Sequence, residues 1–196
     1  MAVVSTAALR CGKCGETSSA SIYSSINIEE NPELKEKVKS GDIFVHECPH
    51  CGHRELVKAP LLYHDPAEKL ILCLSDQALN VEGLEGYAGR RVTDVGSFIE
   101  KVKIFDDGLD DIVIEVCKYV TKQELGKDVD LKYLSLDGAD NELTFTYPEN
   151  GEMQMIAVGF NVYEDCRGIV SRNPVFKEKS AGLSVIDAAW IATIIG

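Results

Sequence analysis

Two short stretches of the sequence carry paired cysteines, CGKCG at 11–15 and CPHCG at 48–52. Zinc takes four ligands in a tetrahedron and binds thiolates well, and a C-x-x-C turn places two sulfurs on the same side of one tight loop. The glycine that follows each pair allows the positive backbone angle that closes such a loop. The spacing therefore predicts one structural zinc ion, held by Cys11, Cys14, Cys48 and Cys51.

A redox dithiol is the alternative interpretation of these pairs, and it would make the chain a redox or zinc sensor. A redox C-x-x-C usually opens a helix, whose N-terminal end lowers the pKa of the first thiol. Neither pair precedes a helical pattern, which favours the metal site. Four thiolates would also saturate the metal and leave no open position for water or substrate.

The four histidines are further candidates for chemistry. His50 lies inside the second loop and is flanked by His46 and His53. We interpret all three as solvent-facing or supporting residues, although His53 is able to replace a cysteine ligand. His64 stands beside Asp65, but adjacent strand residues point apart, so a turn that begins at Asp65 is favoured over a catalytic dyad. No catalytic residue is assigned; an enzyme with its site near His64 or in the C-terminal unit stays an alternative.

The other three cysteines lack partner spacing. Cys73 lies in an apolar strand pattern and Cys117 near the buried face of a helix pattern, which predicts core thiols for both. Cys166, within YEDCRG, is predicted to be exposed. The chain has seven cysteines and no basic residue ahead of its mildly apolar start, a combination that indicates a reducing, cytoplasmic location without a secretory signal.

Charge and composition restrict the partners. The formal net charge is −12, and both the first 78 residues and the remainder are acidic. Nucleic-acid binding depends mainly on Lys and Arg at the phosphates, so direct contact with DNA or RNA is disfavoured. No apolar run reaches the length of a membrane helix. A protein partner is the remaining expectation, and the oligomeric state is left open.

The elements that must position the thiols are mainly strands. Period-two and β-branched patterns predict strands, whereas NPELKEKVKSG predicts a short helix that ends at Gly41. Together they predict a zinc-ribbon-like, β-rich unit over residues 1–78 with one inserted helix. The predicted strands are 1–10, 19–28, 42–47, 55–65 and 69–74, and the predicted helix is 31–41.

A second unit is predicted after a glycine-rich linker at 79–91 and occupies 92–196. Its patterns predict two helices, an antiparallel β-meander and a C-terminal helix, so the fold class is α+β. The acidic run DDGLDD lacks the spacing of a calcium loop and predicts the start of the second helix. The predicted meander strands are 131–136, 143–147 and 152–163, and the last helix is 184–195.

The segments CGKCG, INIEENPELKEKVKSGDIFVHECPHCGH and PLLYHDPAEKLILCL resemble the CpXC family of prokaryotic proteins, which is named for two C-P-x-C elements. The resemblance covers roughly residues 9–76, and FDDGLDD resembles the downstream part of longer members. It implies a zinc-ribbon-like module that uses the same four cysteines as ligands. Gly12 stands where the family pattern has proline, a change that removes no ligand. The resemblance implies a module and no activity, so a binding or scaffold role is the functional prediction.

Overall fold

The computed structural model describes residues 2–78 and 81–195. Its contacts divide the chain into two compact units, Met1–Ile99 and Glu100–Gly196. Helices and strands occur throughout the chain, which confirms the predicted α+β class. Within the described residues, no helix is both long and apolar enough to cross a membrane.

The first unit is built mainly of strands. Five of them lie in one sheet in the order β1-β2-β5-β6-β7, in which β2–β5 and β6–β7 are parallel and the other neighbours antiparallel. A separate hairpin is formed by β3 and β4. The elements are β1 (Val3–Arg10), β2 (Thr17–Asn27), α1 (Glu33–Ser40), β3 (Val45–Glu47), β4 (Arg54–Leu56), β5 (Leu61–Asp65), β6 (Leu70–Leu74) and β7 (Ala88–Val92), followed by α2 (Val95–Asp106), which crosses into the second unit.

Strand β6 forms the centre of the first unit's core. Its sequence LILCL is apolar at every position, and all five residues are buried, as expected of a strand that is covered on both faces. Cys73 is one of them, which confirms its prediction as a core thiol. Phe98 of α2 packs edge-to-face against Phe44 and Tyr63, with ring centroids 5.6 and 6.0 Å apart.

Three predictions for this unit need correction. The strand predicted at 42–47 begins with a 3-10 turn over Asp42–Phe44. The strand predicted at 55–65 is two strands, because Pro60 between them cannot donate to a ladder. The predicted linker 79–91 overlaps β7, whose glycine-containing sequence pairs with β6 because a fully buried strand needs partners on both sides. Residues 79 and 80 lie outside the described residues, and the domain limits 1–78 and 92–196 stay a prediction.

The second unit contains the predicted antiparallel meander, in the order β10-β9-β8. Helices α4 and α6 both pack against α3. Leu143 and Phe145 of β9 share one core with Ile114 and Cys117 of α3 and with Ile191 of α6. The elements are α3 (Asp111–Leu125), β8 (Lys132–Asp137), β9 (Glu142–Glu149), β10 (Glu152–Gly159), α4 (Phe160–Arg172), α5 (Pro174–Lys179), β11 (Leu183–Ser184) and α6 (Ala188–Ile195).

The strand predicted at 152–163 ends early, at Gly159, and helix α4 begins at Phe160. Tyr163, Cys166 and Val170 follow helical spacing, and all three side chains pack into the core. Cys166 is therefore only 2% exposed, and its prediction as an exposed thiol was wrong. The predicted strand was too long because it continued past Gly159, where the apolar residues change from a period of two to helical spacing.

A buried ionic network joins α2 and α3 in the second unit. Lys101 Nζ lies 2.8 Å from Asp111 Oδ2, and Lys118 Nζ contacts both Glu115 and Glu100. Each of these five side chains is at least nine-tenths buried, so the charges have little access to water. Of the four acids predicted to start the second helix, Asp110 and Asp111 do begin α3, where the Asp110 side chain accepts the N–H of Ile112 at 2.8 Å. Asp106 instead ends α2, so the predicted helix start was several residues too early.

Candidate metal centre

Each C-x-x-C pair forms the turn of its own hairpin. Residues 11–16 join β1 to β2, and the Arg10–Thr17 pair closes that hairpin. Residues 48–53 join β3 to β4, and the Glu47–Arg54 pair closes the second one. We call these two turns knuckle 1 and knuckle 2.

The two knuckles share the same backbone hydrogen bonds. In knuckle 1 the Cys11 N–H donates to the Glu16 carbonyl at 2.9 Å, and the Gly15 N–H donates to the Cys11 carbonyl at 3.0 Å. In knuckle 2 the Cys48 N–H donates to His53 at 2.8 Å, and the Gly52 N–H donates to the Cys48 carbonyl at 2.8 Å. Two turns of different sequence thus adopt one hydrogen-bonding pattern around their cysteines.

The glycine after each pair has the predicted role. Gly15 has φ +76° and Gly52 has φ +68°, a region that side-chain-bearing residues adopt at a cost. Both angles close the turn so that the chain returns along the second strand of its hairpin. The prediction of a positive backbone angle at these glycines is confirmed.

The sulfurs of the two knuckles meet in one cluster. The Sγ atoms of Cys11 and Cys51 lie 3.7 Å apart, as do those of Cys14 and Cys48. All four Sγ atoms lie within 4.8 Å of one another. A tetrahedron with Zn–S bonds of about 2.3 Å has S···S edges of about 3.8 Å, so the donor set fits a tetrahedral metal ion. The four cysteines are positioned to hold a metal.

The cluster is a set of thiols and contains no disulfide. All seven cysteines are free, and the 3.7 Å contacts are far longer than an S–S bond of about 2.05 Å. The first cysteine of each knuckle is buried, with Cys11 3% and Cys48 1% exposed. The second of each, Cys14 and Cys51, is exposed. The site thus lies at the surface with two of its four donors inside the fold.

Backbone N–H groups near the sulfurs change the pKa values of the thiols. The N–H groups of Cys14 and Lys13 point at the Cys11 sulfur and lower the pKa of that thiol to about 6. At Cys14 the N–H of Glu16 lowers the pKa, but desolvation and the neighbouring thiols outweigh it and raise the pKa to about 12. Adjacent sulfurs resist joint ionisation when no cation lies between them, and a bound metal would remove that resistance.

The nearby histidines lie outside the sulfur cluster. His46 Nε2 lies 2.8 Å from Ser18 Oγ, a contact between β3 and the start of β2 that the sequence did not indicate. His50 is exposed at the tip of knuckle 2. Among the described residues, one group of three or more His, Cys, Asp or Glu side chains could hold a metal ion. It consists of the four cysteines, and His53 is not part of it.

His64 and Asp65 point apart, as expected of neighbours on a strand. The His64 ring packs on Tyr87 with centroids 5.2 Å apart. Asp65 is buried, pairs with Lys35 at 3.0 Å and accepts the N–H of Glu68. The turn interpretation of Asp65 is confirmed, and the two side chains do not form a dyad.

Two cysteines outside the knuckles contact each other. Cys117 of α3 and Cys166 of α4 lie side by side in the core of the second unit, and the Cys166 thiol together with burial raises the pKa of Cys117. The sequence interpretation missed this pair because it predicted a strand up to residue 163 and no helix over Cys166. The helical spacing of Tyr163, Cys166 and Val170 is the signal that reveals it.

Comparison with known families agrees with this architecture. A family model described as CpXC protein matches residues 9–118, which is more than half of the chain. The chain therefore belongs to the CpXC family. The match begins just before knuckle 1, includes knuckle 2 and ends within α3. No curated protein and no solved structure matches the chain.

Proposed function

We propose that this chain is a zinc-binding, non-enzymatic protein in which a structural four-cysteine site supports a protein-interaction or scaffold role. The observation that carries the proposal is the cluster of four Sγ atoms, all within 4.8 Å of one another and contributed equally by two hairpins. Four thiolates fill every position of a tetrahedral zinc ion, so water and substrate have no coordination site. Cys11, Cys14, Cys48 and Cys51 would be the ligands.

Bound zinc would contribute folding energy in this site. Strands β3 and β4 have three residues each, and an isolated two-stranded hairpin is marginally stable at best. Knuckle 2 therefore depends on its attachment to knuckle 1, which is made by the four sulfurs together with the contact between His46 and Ser18. The binding free energy of a structural metal becomes folding free energy when the unfolded chain lacks a preformed site.

The interaction role is supported by the surface. Two edge strands carry large exposed apolar side chains: Val3 and Val4 on β1, and Met153 and Met155 on β10. The net charge of −12 keeps such a chain soluble and disfavours nucleic acid as the partner. Exposed apolar side chains on strand edges are suited to protein partners.

Metal analysis of the purified, reduced protein tests the zinc site. We expect one zinc per chain and no visible absorption, whereas iron bound by four cysteines would be coloured. Removing the metal with a chelator should lower the thermal midpoint and expose the core of the first unit to hydrogen exchange. Unchanged stability after complete metal loss would contradict the structural role. Reversible release of metal on formation of a Cys11–Cys14 or Cys48–Cys51 disulfide would instead favour the sensor.

A further inference from the structure

Strand β10 forms one edge of the meander. Among the residues that the structure describes, the strand order β10-β9-β8 leaves one side of β10 without a neighbouring strand in its sheet. From Met153 to Gly159 the strand carries no charge and no proline, and Glu152 at its start is its sole charged residue. Natural proteins usually protect such edges with lysine, proline or a bulge, and β10 has none of these.

The side chains of β10 divide between two faces. Met153 and Met155 point outward and are 64% and 70% exposed. Ile156 and Val158 point inward, where they lie opposite Phe145 and Leu143 of β9 and are partly buried against the core. A strand added beside β10 would therefore extend an apolar surface on both faces of the sheet.

Acidic residues lie at both ends of this apolar stretch. Glu152 pairs in register with Glu149 at the first end; Glu149 is in an ion pair with Lys127 at 2.7 Å, so Glu152 supplies the negative charge there. Glu142 lies opposite Gly159 at the other end, and Asp137 lies opposite Glu142 on β8. Measured from the position of an added strand, these groups lie one to three strand spacings away, about 5 to 15 Å. Glu152, the nearest, lies within the Debye length of about 8 Å at about 0.15 M salt, and the more distant acids act mainly at lower salt. The edge thus presents a neutral centre with negative ends.

This charge arrangement disfavours a second copy as the occupant. Antiparallel pairing of two β10 strands about Met155 would place Glu152 of each copy near the other copy's Gly159 and Glu142. Acidic residues of both copies would then lie at each end of the interface, in addition to the repulsion between two chains of net charge −12. A partner segment with positive ends would instead be attracted to the acidic residues at the two ends of β10.

We propose that β10 docks an extended segment of a partner protein, with β-branched or apolar residues at alternate positions and Lys or Arg at each end. The segment would add a fourth strand to the meander. Main-chain hydrogen bonds to β10 would supply affinity, and the alternating side chains and basic ends would supply selectivity. This inference deepens the proposed interaction role and rests on it, but it does not depend on the metal.

The test uses the full, zinc-loaded chain and a fluorescein-labelled peptide set of sequence Lys-Val-Thr-Val-Thr-Val-Thr-Val-Lys with Val varied to Ile. Fluorescence anisotropy at moderate salt should show saturable binding. Hydrogen exchange should slow at the amides of β10 and leave those of β1 unchanged. Replacing both terminal lysines by glutamate should weaken binding by about tenfold or more, since each tenfold corresponds to about 1.4 kcal/mol. N-methylation of alternate peptide amides should abolish binding, because it removes main-chain donors.

Two matched variants locate the site. M155K places a cation on the edge without disturbing the core, since Met155 is 70% exposed, and should weaken binding by about tenfold or more. V4K makes the same kind of change on the β1 edge and should leave binding unchanged. Circular dichroism of both variants establishes that each is folded.

Several results would overturn the proposal: no binding by any peptide of the set, binding lost in V4K and kept in M155K, or a dimer in sedimentation that M155K dissociates. None of these results would contradict the zinc proposal, because the metal analysis and the chelator experiment test it separately. Conversely, if the chain folds without zinc while the peptide still slows hydrogen exchange in β10, that result would contradict the zinc proposal alone.

Discussion

The Sγ atoms of Cys14 and Cys48 lie 3.7 Å apart, although the two residues are 34 positions apart in the chain. The intervening segment includes β2 and α1, so the contact depends on the fold of the whole first unit. Cys11 and Cys51 make the equivalent contact from the other half of each knuckle. The two crosswise contacts mean that neither hairpin alone can supply the site.

Replacing Cys14 by serine should remove the metal and destabilise the first unit. Cys14 is exposed, so the substitution deletes a donor with little loss of packing. We expect the zinc content of C14S to fall well below one per chain and its thermal midpoint to drop. H50A changes an exposed residue of the other knuckle and should keep both values. Full zinc occupancy in C14S would contradict the four-ligand assignment.

Replacing Gly52 by alanine should lower the free energy of unfolding by about 1 kcal/mol, because φ is +68° there. No atom lies within 4 Å of the position that the new Cβ would take, so backbone strain is the whole cost. Gly12 is the matched control: its φ lies outside the left-handed region, and a Cβ would make an ordinary 3.8 Å contact with Glu55. Equal effects of G52A and G12A in chemical denaturation would refute the strain argument.

Replacing Lys101 by methionine should destabilise the second unit strongly. The change leaves Asp111 and Glu115 buried with one cation fewer, and breaking a buried pair on one side costs about 3 to 5 kcal/mol. K58M breaks an exposed pair with Asp76 and should cost at most about 1 kcal/mol.

Urea unfolding followed by the fluorescence of Trp190, the single tryptophan of the chain, measures the second unit. The double variant K101M/D111L should recover part of the loss, because it removes both charges of the closest pair. A loss below about 1 kcal/mol in K101M would show that the buried network contributes little.

The second unit should lose stability in alkali. Burial and the Asp107 carboxylate, which accepts the Tyr133 hydroxyl hydrogen bond, raise the pKa of Tyr133. A raised folded pKa means that the stabilisation is complete below the unfolded pKa of about 10 and is lost as the pH rises above it. Lys118 acts in the same direction, since Glu115 and Glu100 raise its pKa despite burial. Y133F should therefore show a shallower fall in unfolding free energy between about pH 9 and about pH 11. A slope equal to that of the unsubstituted chain would contradict this assignment.

The sequence predicts the candidate site well because its determinants are local. Cys-x-x-Cys-Gly contains both donors of a knuckle and the residue that closes it, so Gly15 and Gly52 could be assigned from their neighbours alone. The meander was predictable for the same reason, since period-two alternation and turn residues are adjacent in the chain. The spacing also predicted that both knuckles share one site, and the family resemblance implied the same four cysteines.

Predictions failed where the structure depends on distant partners. Strand β7 contains glycine and two arginines and has no strand pattern of its own; it forms because β6 offers a parallel partner. The burial of Cys166 follows from the packing of α4 on α3, which no local pattern specifies. The side-by-side position of Lys101 and Asp111 likewise depends on how α2 meets α3.

A cut between the two knuckles would place their cysteines on separate fragments of the chain. Glu29 and Glu30 lie in an exposed turn between β2 and α1, a place where a protease that cleaves after glutamate can act. One cut there leaves Cys11 and Cys14 on one fragment and Cys48 and Cys51 on the other. A metal held by all four sulfurs would keep both fragments in one particle, which chelation would then help to separate.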